Sequence, residues 1–149
     1  MTDNVKNEIQ LVVFRLASEE YGISVLQVQE IKRLTEITRV PYTPDYIKGV
    51  INLRGSVTPV IDLKTRLGLP PGEVTEETRI IIIKTEEFAV GLIVDAVLEV
   101  MTVNTDNIDD AARVGEVNAQ YLQGIAKVDN RLILLLDLTE IITLTGSAA

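Results

Sequence analysis

The 149-residue chain has no cysteine, no histidine and no tryptophan, and only two phenylalanines and four tyrosines. Without cysteine there is no disulfide framework, thiol nucleophile or thiolate metal site. Without histidine the commonest general base and transition-metal ligand is missing, so a Ser-His-Asp or Cys-His constellation cannot be assembled. Any catalysis would rest on carboxylates and lysines. With so few aromatics there is little for bases to stack on, and a net charge of -8 repels a phosphate backbone, so no nucleic-acid partner is expected. Long apolar runs are absent as well. "IIII" from Ile80 and "LILLL" from Leu132 fall far short of the ~20 residues that cross a bilayer, so no membrane insertion is expected. The opening "MTDNVKNE" is polar and acidic, unlike a signal peptide, which makes a soluble cytoplasmic protein the expectation.

What is present is aliphatic. A hydrophobic content of 46% with 24% charged residues belongs to a folded chain, long enough for one domain or for two small ones sharing a core. Strand signals dominate: "IQLVVFRLA" (Ile9 to Ala17), "RIIIIK", "FAVGLIV" and "VLEVMTV" are rich in β-branched residues. "GVINL" and "SVTPVI" flank Arg54-Gly55 as a hairpin, and "GIAKV" and "RLILLL" flank Asp129-Asn130 in the same way. Pro59 cannot donate to a ladder, which predicts an edge strand or a bulge. In "VLQVQEIKRL" the residues Val25, Val28 and Ile31 lie three apart with Leu34 following, which predicts one or two helical turns. "DLKTRLGL" and "DLTEIITL" read as short helices capped by Asp62 and Asp137. "LPPGEVTEET" (Leu69 to Thr78) is the best linker.

The two halves match. A shift of 75 carries Tyr46 onto Tyr121, Gly49 onto Gly124, Asp62 onto Asp137 and Leu63 onto Leu138. Upstream, "YGISVLQVQEI" resembles "FAVGLIVDAVLEV", with Glu30 corresponding to Glu99. The order of strand, turn, strand and capped helix therefore occurs twice. Two barrels of about five strands each are expected, because barrels remove exposed sheet edges and runs such as "IIII" need burial on both faces. The expected sub-barrels are 9–68 and 79–145, with 69–78 as linker and an apolar seam between them.

Four groups of residues invite a chemical reading. Asp62 and Asp137, one per half, suggest a carboxylate-dependent hydrolase, but neither stands in an Asp-Thr-Gly or Asp-Ser-Gly context, and two helix caps explain them with less. "GVINLRGS" lacks the lysine and spacing of a phosphate loop. "TDNIDDAA" lacks the spacing, glycine and terminal glutamate of a calcium loop. A ligand site between the barrels would need convergent polar groups that the sequence does not display. Arg54 is either a solvated turn tip or the partner of a carboxylate, with Glu30 the candidate. Only the first copy has an arginine in its turn, so the two faces are expected to serve different partners.

"EYGISVLQVQEI", "RVPYTPDYIKGVINLRGSVTPVIDL", "VGLIVDAVLEV" and "YLQGIAKVDNRLILLLDL" together resemble the CheW family, the coupling proteins of bacterial chemotaxis, over roughly residues 9 to 145. The resemblance implies a mainly β fold of two pseudo-symmetric five-stranded SH3-like barrels on a shared hydrophobic seam, with short helices and a single CheW-like domain over 1–149. It implies a non-enzymatic adaptor without cofactor, monomeric alone. Its implied partners are the regulatory domain of the histidine kinase CheA and the cytoplasmic tips of chemoreceptors. A stand-alone coupling protein fits better than the related domains at the C-terminus of CheA or ahead of a receiver domain in CheV. Carried over by position, the receptor groove involves Val28, Glu30, Ile31, Gly49, Arg54, Gly91 and Gly124, with Glu30 and Arg54 as an interacting pair. The loop from Asn104 to Gln120 carries little of the family pattern.

Overall fold

The structure, a computed structural model, describes residues 7–86, 89–110 and 119–147. Eleven strands and two short helices follow in chain order: β1 (Glu8–Leu16), β2 (Glu19–Ser24), β3 (Val28–Arg33), β4 (Ile47–Leu53), β5 (Ser56–Asp62), α1 (Leu63–Arg66), β6 (Arg79–Lys84), β7 (Ala89–Val94), β8 (Ala96–Asn104), β9 (Ile108–Asp109), β10 (Leu122–Val128), β11 (Arg131–Leu136) and α2 (Leu138–Ser147). They form two sheets. Barrel I has the order β8-β1-β2-β11-β10-β9, and barrel II the order β3-β6-β7-β5-β4. Barrel I gains its sixth strand from the two residues of β9, where barrel II has only an isolated bridge from Thr38 to Val50.

The fold is mainly β, as expected, with two pseudo-symmetric units. The division at 69–78 does not coincide with the sheets. Each half of the sequence gives its first hairpin to the other half's barrel: β1-β2 completes barrel I beside β8–β11, and β6-β7 completes barrel II beside β3–β5. The exchange is fastened by the only parallel pairings among the described strands, β2 with β11 (Gly22 opposite Leu135) and β7 with β5 (Gly91 opposite Val60). Residues 69–78 are therefore a loop from α1 to β6 inside barrel II. The physical reason lies in β6. Ile80 and Ile82 face the core of barrel II with Ile51, Leu53 and Val60. Ile81 and Ile83 face the seam, with Val12, Phe14 and Leu16 of barrel I. A strand apolar on both faces is satisfied only between two cores.

That seam is the largest apolar cluster and draws on both barrels, including Leu63 and Leu67 around α1 and Leu138, Ile141 and Ile142 of α2. Leu11, Val13, Val103, Ala126, Ile133 and Leu135 form the separate core of barrel I.

Two local expectations are corrected. The predicted helical turns over Val25 to Leu34 are a single 3-10 turn, Val25–Gln27, whose Leu26 N–H donates to Ser24 Oγ, followed by β3. In β3 burial alternates: Val28, Glu30 and Lys32 are half-buried, while Gln29, Ile31 and Arg33 are exposed. The threefold apolar spacing straddles a turn and an edge strand. Pro59 lies in an interior strand, and the bulge is in its partner β4, between Ile47 and Gly49. Val50, opposite Pro59, spends its N–H and C=O on Thr38. The prolyl nitrogen thus falls on the other side of β5, just before pairing with β7 begins at Val60.

Candidate functional site

Glu30 and Arg54 meet. The β4-β5 turn is made by Arg54 (φ 50°) and Gly55 (φ 89°), both left-handed, as a two-residue hairpin of this twist requires. The Gly55 N–H donates to Asn52 Oδ1 at 2.8 Å. This turn aims the Arg54 side chain at β3, and its Nη2 donates to Glu30 Oε2 at 2.5 Å. The contact joins β3 and β4, the two ends of the barrel II sheet, and so acts as a clasp where the strand ladder stops. The hydrogen bond from Arg54, and then its charge, hold the Glu30 carboxyl below its ordinary value, and Glu30 in turn raises Arg54. A charged pair fixed in one geometry at a surface offers a defined rim, and Ile31 on β3 (40% exposed) and Val57 on β5 (74%) present apolar surface.

Of the other carried-over residues, Val28 opens β3, the strand of Glu30 and Ile31, and the glycines lie within the sheets. Val28 is half-buried against the seam. The three glycines are buried packing positions. A Cβ on Gly91 would meet Ile80 Cγ2 at 2.8 Å, in the middle of barrel II. Gly49 (φ 150°) lies under the Thr38 carbonyl, and Gly124 under Asp109 and Ile108, so both admit a crossing segment against a bulged strand.

Asp62 and Asp137 are helix caps. Asp62 Oδ1 accepts from the Thr65 N–H at 3.5 Å and Asp137 Oδ1 from the Glu140 N–H at 3.3 Å. Their own N–H groups donate to the carbonyls of Tyr46 and Tyr121 at 2.7 and 2.8 Å. Each joins the helix of its own half to the tyrosine before the hairpin, so the two aspartates form equivalent joints. One concave surface among the described residues is a cleft of about 600 Å³ between the loops at Tyr42 and Glu73. At its floor Lys64 Nζ pairs with Asp95 Oδ1 at 2.8 Å, and its remaining charges are of both signs.

Two groups escaped the sequence reading. Glu99, the counterpart of Glu30, also has an arginine partner, although the second hairpin turn itself holds none. Arg131 opens β11 and reaches Glu99 Oε2 at 2.8 Å and Glu20 Oε1 at 2.7 Å. The cation stands just after the Asp129-Asn130 turn, not in it, so matching position to position missed it. The repeated glutamate was the available signal. The second group is Arg66 of α1, only 8% exposed. It donates to the carbonyls of Glu140 and Ile141 and to the Tyr121 hydroxyl, and lies over the rings of Tyr46 and Tyr121. In "DLKTRLGL" it is indistinguishable from a solvated helix cation.

Comparison with known proteins agrees over nearly the whole chain. Residues 10–145 match the model of the CheW-like domain. The chain is 45% identical over 138 residues to the chemotaxis protein CheW of Bacillus subtilis, covering 92% of this chain and 88% of that protein. It is 33% identical to the chemotaxis protein CheW of Thermotoga maritima, covering 91% and 88%. The crystal structure of the scaffolding protein TtCheW from Thermoanaerobacter tengcongensis superposes with a TM-score of 0.85 at 37% identity, over 95% of this chain and 92% of that one.

Proposed function

The chain belongs to the CheW family of chemotaxis scaffold proteins, and on that basis we propose that it couples the regulatory domain of the histidine kinase CheA to the cytoplasmic tips of chemoreceptors, without catalysing a reaction itself. The observation that carries this reading is the Glu30–Arg54 clasp with Ile31 and Val57 exposed beside it. An apolar strand face with a fixed charged rim suits the side of an amphipathic helix, which buries apolar anchors and reads the rim with polar groups. Val28, Glu30, Ile31 and Arg54 are assigned to the receptor groove. Gly49 and Gly91 serve it indirectly, by holding the strands and loops of barrel II behind it, while Gly124 makes the equivalent crossing in barrel I, away from the clasp. No helix among the described residues is long and apolar enough to cross a membrane. The adaptor is proposed to work in the cytoplasm as a monomer that assembles only with its partners.

Calorimetric titration tests the reading. The protein is titrated with the regulatory domain of CheA from the same organism and, separately, with a receptor-tip fragment, with Arg54→Ala run in parallel. Saturable binding of both, with Arg54→Ala weakening mainly the receptor titration, is the expected result. No binding of either cognate partner by a folded sample would sink it.

A further inference from the structure

Arg66 occupies the place in the first copy that Ile141 occupies in the second, and both lie in the seam between the barrels. A hydrophobic residue evidently suits that environment. Burying a guanidinium there removes it from water, and no carboxylate among the described residues repays the cost. What the arginine adds over a methionine is direction. Apolar contact is insensitive to rotation of one surface over another, whereas a planar guanidinium fixes its donors in a fork.

The fork is aimed across the seam. Arg66 and Tyr46 belong to barrel II, and Tyr121 and α2 to barrel I. Nε donates to the Ile141 carbonyl at 3.2 Å, Nη2 to the Glu140 carbonyl at 3.2 Å, and Nη1 to the Tyr121 hydroxyl. The guanidinium carbon sits 4.9 Å from the Tyr46 ring centre and 4.4 Å from that of Tyr121. The two tyrosines are themselves equivalent, each anchored through its carbonyl to the capping aspartate of its own barrel. One cation thus lies between matching rings from the two barrels and is bonded to the helix of the opposite one.

We infer that Arg66 is a latch that sets the angle between the two barrels, and that this angle is what lets the scaffold hold two partners in register. Arg66 is a positioning residue: it touches neither partner. The second half of the inference rests on the adaptor reading above; the first does not.

The native chain has no cysteine, so spin labels can be placed at Lys48→Cys on barrel II and Thr102→Cys on barrel I, both exposed positions. Pulsed dipolar spectroscopy then reads the inter-barrel distance in wild type, Arg66→Met and Tyr121→Phe. Tyr121→Phe removes only the hydroxyl and serves if Arg66→Met fails to fold. The expected result is one narrow distribution for wild type and a broadened or displaced one for the variants. Without labels, each partner alone should bind the variants within about threefold of wild type, while kinase stimulation with all three components present falls by about fivefold or more. An unchanged distance distribution overturns the latch. Wild-type stimulation despite a broadened distribution overturns the link between angle and coupling. So does stimulation that falls only in step with one binary affinity, which would put Arg66 behind a single docking face. If wild type binds neither partner, the adaptor reading and the link to coupling both fail, and the distance distribution decides the latch by itself.

Discussion

Gly49 and Gly124 lie under equivalent pieces of backbone: a Cβ at Gly49 would strike the Thr38 carbonyl, and one at Gly124 would sit 2.8 Å from the Asp109 carbonyl. Both glycines follow a bulge at the start of a strand, and both let a crossing segment bind that strand. The repeated glycine of the sequence is a repeated crossing in space. Gly49→Ala carries the further strain of φ 150° and displaces a carbonyl that accepts from the Val50 N–H at 2.8 Å. It is expected to cost about 3 kcal/mol, and Gly124→Ala roughly 1–2 kcal/mol. Urea unfolding of the two variants checks the order as well as the size.

The Glu30 carboxyl should titrate below its usual 4.5 in the folded protein, because Arg54 hydrogen-bonds to its charged form. A lowered carboxyl pKa contributes stability that is present above the unfolded value and lost as pH falls through the folded one. The clasp therefore loosens only on acidification below about 4.5 and is intact at neutral pH. Carbon-13 NMR titration of Glu30 in wild type and Arg54→Ala reads this directly. A titration unchanged by Arg54→Ala would show that the pair does not persist in solution.

Arg131 ties three strands of barrel I through Glu20 and Glu99, and each of the three side chains is about a third exposed or more. Solvent screens such a network, so Arg131→Ala is expected to cost only about 0.5–1 kcal/mol. Part of that is repulsion between carboxylates left without their cation. The loss should shrink in high salt, unlike the loss from Gly49→Ala, and unfolding midpoints at two ionic strengths separate the two mechanisms.

A cut in the loop 69–78 should leave the molecule whole. Engineering a protease site between Gly72 and Glu73 would yield fragments carrying β1–β5 and β6–β11, each holding a hairpin that the other's barrel requires. The nicked protein is expected to elute as one particle and to come apart only in denaturant, with neither fragment refolding alone. Two independently folded halves after cleavage would contradict the exchanged topology.

Much of this protein is written in local signals. The hairpin turns at Arg54-Gly55 and Asp129-Asn130, the capping aspartates and the twofold repeat follow from short-range chemistry, in which a turn or a cap involves residues a few positions apart. The Glu30–Arg54 pair came into view through its neighbourhood on a repeated unit and through family resemblance. The structure alone decided which hairpin completes which barrel. Gly22 against Leu135 and Gly91 against Val60 are pairings between distant segments, and an apolar strand such as Ile80–Ile83 reads the same whichever partner covers it. Arg66 and Arg131 were hidden for a related reason. A cation in a sequence looks solvated until the fold brings a second ring, a distant carbonyl or another strand's carboxylate within reach. The sequence determined what each segment could form; the tertiary structure chose which segments would share a core.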